Sequence, residues 1–171
     1  MDEDLQLFVH WMEPRPEEKY ARDLFVSQVT KIIAEVCGQQ AQAVVFGSFA
    51  TDLYLPTSDI DMVILNSERQ NPIHKLAAEL RKQSFIRNIS VITRARVPLI
   101  KFEDSLTGIQ MDISFDMING PRNVDVVNNL LQEYPQVSDF LVSALPSRID
   151  FEEGKRLDAC YEVHSQAEAD E

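Results

Sequence analysis

Cysteine is scarce in this chain: Cys37 and Cys160 are the two among 171 residues, far apart and without ligand spacing. No disulfide framework can be drawn from them, so the compartment is read as reducing and intracellular. The three histidines, His10, His74 and His164, have no mutual spacing suited to zinc and read as structural or surface residues. Long apolar runs are missing as well, and nothing approaches the roughly 20 residues that span a bilayer. The acidic start MDEDLQLFVHWM lacks the basic region and apolar core of a signal peptide. The expectation is a soluble protein with no membrane partner. Positive charge is also in deficit, with 16 Lys and Arg against 28 Asp and Glu and a net charge of −12. That balance disfavours a protein that coats duplexes or membrane surfaces.

What is present suffices for a packed fold. A 44% hydrophobic content supports one domain with a real core and part of a second. Residues 16–37 carry Tyr20, Leu24, Phe25, Val29, Ile32, Ile33 and Val36 on one helical stripe, with Pro16 at the start and Gly38 at the stop. A strand over 42–46 ends at Gly47, residues 48–55 have room for two helical turns, and Asp59 to Leu65 reads as a strand buried on both faces. Asn71-Pro72 caps a second helix, PIHKLAAELRKQ. A strand over 86–93 precedes a hairpin made of PLIKFE, the turn DSLTG and residues 109–115. In the last strand Ile109, Met111, Ile113 and Phe115 share one face, leaving Gln110, Asp112 and Ser114 on the other. Pro121 opens a helix through Glu133, and a weaker helix follows over 137–145. The fold class is α+β, a mixed sheet flanked by helices, because the pattern needs both a hairpin and crossovers.

Charge is uneven along the chain. From Asn66 to Lys101 the basic residues Arg69, Lys75, Arg81, Lys82, Arg87, Arg94, Arg96 and Lys101 face only Glu68 and Glu79. This stretch is a candidate RNA-facing patch, and equally an ordinary solvated surface. Phe8 and Trp11 read as packing anchors, and Cys37 as a small core residue.

Three features could carry chemistry: Gly47-Ser48 after a strand, Asp59 and Asp61 two positions apart at the mouth of another, and Asp112 on the polar face of a third. Asp59 and Asp61 point to the same side of an extended strand, so their charges repel unless something positive sits between them. A strand–Gly-Ser–helix unit offers backbone N–H groups and a hydroxyl, which suits a phosphate. Three carboxylates from two strands can hold two Mg²⁺ ions about 3.5–4 Å apart, the geometry of in-line phosphoryl transfer. Asp52, Asp104 and Asp116 lie near these motifs in sequence and are assigned no catalytic role.

GSFATDLYLPTSDIDMVIL followed by IQMDISFDMING resembles the catalytic domain of the DNA-polymerase-beta-like nucleotidyltransferases. Within them, HKLAAELRK, VITRARVPLIKF and the lead-in FVHWMEPRPEEKYARD look most like the nuclear non-canonical poly(A) RNA polymerases of TRAMP-type RNA surveillance. The resemblance implies that Asp59, Asp61 and Asp112 are catalytic and ligate two Mg²⁺ (or Mn²⁺) ions. It implies that Gly47 and Ser48 bind the nucleotide phosphates, and that AMP passes from ATP to an RNA 3′ end. An RNA-binding zinc-knuckle protein and an RNA helicase are the partners it implies, and the nucleus the location. The domain division that follows is 1–37 an N-terminal helical segment, 38–120 the nucleotidyltransferase catalytic domain, 121–148 the start of a truncated helical domain, and 149–171 an acidic flexible tail.

The likeness fades after GPRNVDVVNNLLQEYPQV, before the base-recognising helical domain and Gly-Gly-rich motif of the family. Two classes of function therefore fit: an adenylyl-transferring enzyme, and a catalytically incomplete fragment or isoform acting as a binding or regulatory module. A terminal uridylyltransferase, or a compact transferase acting on a protein or small molecule, fits the same fold. Without the helical domain, part of the stripe Leu24, Phe25, Val29, Ile32 and Ile33 is expected to lie exposed and to invite a partner or self-association.

Overall fold

Two glutamates and a proline set the first helix. The computed structural model describes residues 14–67, 72–115 and 119–134, and in it helix α1 (Pro16–Cys37) begins with Pro16, Glu17 and Glu18. Acidic side chains there face the positive end of the helix dipole, and proline sacrifices an N–H that has no helical partner. The helix stops at Gly38, whose N–H donates to the Ala34 carbonyl at 3.2 Å.

Strand β1 (Gln42–Phe46) follows, then a single turn α2 (Gly47–Ala50) and strand β2 (Ile60–Leu65). Helix α3 (Pro72–Leu80) leads to β3 (Ile86–Ile92), β4 (Leu99–Asp104) and β5 (Gln110–Phe115), and helix α4 (Asn119–Glu133) comes last. The five strands form one sheet in the order β1-β2-β5-β4-β3. Strands β2 and β5 run parallel, and every other neighbouring pair is antiparallel, so the sheet is mixed, as the sequence pattern requires. Asp104 serves the β4–β5 turn: its carboxylate accepts from the Thr107 N–H at 2.7 Å and hydroxyl at 2.6 Å.

Alternation along the strands divides the sheet into two different faces. Ile60, Met62 and Ile64 of β2, Met111 and Ile113 of β5, and Ile100 and Phe102 of β4 join one apolar cluster with α1 and α3. Phe25 of α1 meets Phe85 and Phe102 edge-on, with ring centroids 6.4 and 5.9 Å apart. The opposite face carries a lateral row defined by register: Phe46, Asp61, Asp112, Lys101 and Ser90, one residue from each strand. Helix α4 begins over the Phe46 end of that row. A Cβ on Gly120 would stand 2.7 Å from the Phe46 ring, so the helix can sit there only with glycine at that position.

Three expectations change. Residues 48–55 form one turn instead of two, because the chain turns away early. The Ser48 carbonyl accepts from the Thr51 hydroxyl at 3.1 Å and from the Leu53 N–H at 3.0 Å, and Asp52 adopts a left-handed φ of 53°. Most of the α1 stripe is covered: Phe25, Val29, Ile32 and Ile33 are buried against the sheet and α3, while Leu24 is half-buried and Tyr20 is exposed. A longer exposed apolar stripe runs along α4 and onto the residue after it, where Val126, Leu130 and Tyr134 recur every four residues. The third is α4 itself, which begins at Asn119, two residues before Pro121. Asn71, the helix expected over 137–145, the segment 149–171, Phe8, Trp11, His10, His164 and Cys160 fall outside the described residues. Cys37 is buried in the core. Among the described residues no helix is long and apolar enough to cross a membrane.

These burials set contrasting costs for two apolar truncations. Ile33→Ala removes a core side chain and should lower unfolding free energy by about 2–5 kcal/mol. Leu130→Ser, on the exposed stripe, should change it by about 0.5 kcal/mol or less. Urea unfolding followed by circular dichroism measures both.

Candidate active site

Because β2 and β5 are parallel and in register, Asp61 lies directly beside Asp112. Asp59, two residues before Asp61, projects to the same side from the residue just ahead of the strand. One carboxylate oxygen from each of Asp59, Asp61 and Asp112 lies within 4.8 Å of the other two. Two unit charges at such a separation near a protein surface repel by on the order of 3 kcal/mol.

The electrostatics of the cluster follow from that crowding. The Asp61 carboxyl is pushed up to about 6 from its ordinary 3.8, first by burial and then by the charges of Asp59 and Asp112, while Lys101 opposes the rise. Lys101 is the cross-strand neighbour of Asp112, and its ammonium forms an ion pair with the Asp112 carboxylate. The hydrogen bond to Asp112 in turn raises the Lys101 pKa.

Gly47 takes part through geometry. Its φ is +72°, and a Cβ placed on it would lie 2.3 Å from Asp61 Oδ2. The position excludes any side chain twice, by backbone conformation and by contact with the carboxylate. Glycine thus lets the β1–α2 junction, and Ser48 after it, pass against Asp61. All five residues predicted from sequence therefore sit at one end of the β1–β2–β5 face: Asp59, Asp61 and Asp112 converge, Gly47 touches Asp61, and Ser48 follows it in α2.

The segment 51–59, between α2 and the carboxylates, is held from α1. Lys19 pairs with Asp52 at 2.9 Å, and Arg22 Nη2 donates to the carbonyls of Pro56 at 3.0 Å and Leu55 at 3.5 Å. Within the segment the Leu55 N–H donates to the Ser58 hydroxyl at 2.9 Å. As a donor set the cluster fits a hard divalent cation: three carboxylates supply only oxygen, and their mutual repulsion favours a small, doubly charged ion such as Mg²⁺ or Mn²⁺.

Residues 1–134 match the family described as the central palm domain of mitochondrial-like poly(A) RNA polymerase. The chain belongs to this poly(A) RNA polymerase family. It is 36% identical over 145 residues to poly(A) RNA polymerase cid14 of Schizosaccharomyces pombe, covering 82% of this chain and 21% of that protein. It is 32% identical over 143 residues to poly(A) RNA polymerase protein 2 of Saccharomyces cerevisiae, covering 81% of this chain and 24% of that one. The chain therefore spans less than a quarter of the length of these relatives. Among solved structures, the polymerase core of TRAMP, an RNA surveillance complex, superposes with a TM-score of 0.68 at 30% identity, over 81% of this chain and 44% of that one. The mixed sheet with its flanking helices is that of nucleotidyltransferase polymerase cores.

Sequence reasoning missed two residues of this polymerase palm. Lys101 was read only as part of a basic stretch, although counting back through the DSLTG turn pairs it with Asp112. Arg22 was not singled out, although it lies four residues from Glu18 and three from Phe25 on the buried side of α1. Elsewhere in the basic stretch, Lys82 pairs with Glu79 and Arg87 with Glu103, while Arg69 lies outside the described residues.

The raised pKa of Asp61 sets a pH dependence. The folded state holds this proton more tightly than the unfolded chain, so metal-free stability should fall as pH rises from about 4 to about 6. Asp61→Asn should remove that slope and raise metal-free stability at pH 7 by on the order of 1 kcal/mol, after allowance for solvent screening. Gly47→Ala should instead lower it at every pH, by about 1–3 kcal/mol. Thermal unfolding in EDTA between pH 4 and 8 measures all three.

Proposed function

We propose that this chain carries the catalytic palm of a template-independent RNA 3′-end nucleotidyltransferase that adds AMP from ATP. The observation that carries the reading is the convergence of Asp59, Asp61 and Asp112 on one sheet face beside a glycine that admits no side chain. Membership of the poly(A) RNA polymerase family supports RNA and a nucleoside triphosphate as substrates.

In this reading Asp59 and Asp61 hold two Mg²⁺ (or Mn²⁺) ions and Asp112 completes the site on the side of the attacking RNA end. When bound, the ions would activate the 3′-hydroxyl and neutralise charge on the departing pyrophosphate. The backbone N–H groups at Gly47 and Ser48, with the Ser48 hydroxyl, receive the triphosphate at the start of α2. Strands β2 and β5 fix the carboxylates through a packed base, since Met62, Val63, Ile64 and Ile113 are fully buried. The protein contributes orientation and charge complementarity, with no covalent intermediate on its own side chains. Lys101, paired with Asp112, would be freed from it as cations enter and could then meet an RNA phosphate. Partners in this reading are an RNA-binding zinc-knuckle protein and an RNA helicase, with the nucleus as the working location.

Extension of a short labelled oligo(A) RNA with Mg²⁺ and each nucleoside triphosphate in turn tests the proposal. Extension with ATP is expected, and Asp112→Asn should lower it by at least about 10³-fold while leaving the fold intact. Extension with UTP alone would reassign the chain to uridylyl transfer. A folded wild type that extends with no nucleotide would favour a binding module.

A further inference from the structure

We propose that Arg22 is a positioning residue for the carboxylate site, acting from α1 on the segment that presents Asp59. This rests on the metal-binding role proposed above for the three aspartates. Arg22 has a relative exposure of 1%, which is costly for a guanidinium unless its surroundings are built for it. They are. The guanidinium donates through Nη2 to the Pro56 carbonyl at 3.0 Å and, at the longer distance of 3.5 Å, to the Leu55 carbonyl. Its central carbon lies 4.8 Å from the centroid of the Tyr54 ring and 5.8 Å from that of Phe49. These two rings meet edge-on at 5.0 Å.

The contacts span the two halves of the site. Phe49 belongs to α2, directly after Gly47 and Ser48, while Tyr54, Leu55 and Pro56 lead into Asp59. A single side chain of α1 therefore touches the element on the phosphate side and the approach to the first carboxylate. A planar guanidinium can lie against two aromatic rings while its edge reaches a main-chain carbonyl; a lysine ammonium is a point charge without such a plane.

Besides the buried Tyr54 ring, the other polar supports of this segment are weaker. The Lys19–Asp52 pair joins side chains that are 51% and 68% exposed, and an exposed pair contributes little to holding a position. Ser58 and Leu55 bind one another reciprocally, through the Leu55 N–H to the Ser58 hydroxyl and the Ser58 N–H to the Leu55 carbonyl, both at 2.9 Å. That closes a small internal ring whose Leu55 carbonyl also faces Arg22. Arg22 fixes the ring to the body of the protein, and the ring fixes Asp59, the next residue along. A shift of about 1 Å in a group that positions reacting atoms is enough to cost on the order of 10²-fold in rate, so a clamp at this point has consequences for function beyond stability.

Mn²⁺ binding, followed by electron paramagnetic resonance well below each melting temperature, separates positioning from mere stability. The set is the wild type, Asp59→Asn, Arg22→Lys, Ser58→Ala and Lys19→Met, with thermal unfolding recorded for each. Wild type should bind Mn²⁺ and Asp59→Asn should not. Arg22→Lys, which keeps the charge and loses the planar group against Tyr54 and Phe49, should weaken Mn²⁺ binding about tenfold at a temperature where it remains folded. Ser58→Ala loosens the same segment without entering the core and should weaken binding in the same direction; it carries the test alone if Arg22→Lys does not fold. Lys19→Met should bind as wild type. Wild-type affinity in both Arg22→Lys and Ser58→Ala, or in Ser58→Ala alone where Arg22→Lys is unfolded, would overturn the role of Arg22 and leave the metal site standing. Absence of Mn²⁺ binding in the wild type would overturn the metal site and this inference with it.

Discussion

Repulsion among three carboxylates within 4.8 Å of one another is the constraint around which this structure is arranged. A surface cluster of aspartates would relieve such repulsion by swinging apart. Here that route is closed, because Asp61 and Asp112 sit on adjacent parallel strands in fixed register. The strands cannot slide without turning Met62, Ile64, Met111 and Ile113 out of the core, since a one-residue slip exchanges the two faces of a strand. Hydrophobic burial on one face therefore holds electrostatic strain on the other. Burial first and the charges of Asp59 and Asp112 second push the Asp61 carboxyl up to about 6, and the Lys101 ammonium is drawn onto Asp112.

The same constraint explains features that look incidental one at a time. Gly47 is needed because the chain entering α2 passes so close to Asp61 that a methyl group would collide with the carboxylate. Gly120 is needed because α4 starts on Phe46, which lies beside Asp61 in the lateral row. The two glycines bring backbone close to the open face at both places where covering elements approach the cluster. Their positions are where local conformational freedom is traded for the shape of a site.

Much of this was legible in the sequence, and particular residues show why. The stripe of α1 and the alternation of β5 follow from burial periodicity, which depends on near neighbours in the chain. Strand spacing placed Asp59 and Asp61 on one side, and the polar face of β5 placed Asp112, so the three carboxylates could be gathered before the fold was known. The extent of α2 was not legible, because its end depends on a Thr51 hydroxyl closing onto the Ser48 carbonyl and on a left-handed Asp52. The cover over α1 was not legible either: which surface buries Val29 and Ile33 is a tertiary question, and here the sheet and α3 answer it. Arg22 escaped for a related reason. A lone arginine in a helix usually extends to solvent, and its aromatic and carbonyl partners lie about thirty residues further along the chain.

Overall acidity and the proposed RNA substrate are compatible if the carboxylate site is a place for charge exchange. With 28 acidic residues against 16 basic ones, the chain as a whole offers a polyanion little long-range attraction. Tracking along many phosphates would require a basic surface, since that mode of binding draws its affinity from released counterions. An enzyme acting at a strand end needs less, because only the terminal nucleotide and one triphosphate must reach the carboxylates. Divalent ions held by Asp59, Asp61 and Asp112 would reverse the local sign of charge there. In the proposed function cations and phosphates would each supply what the other lacks, and the three aspartates that repel one another in the bare protein would become the means by which a negatively charged chain receives negatively charged substrates.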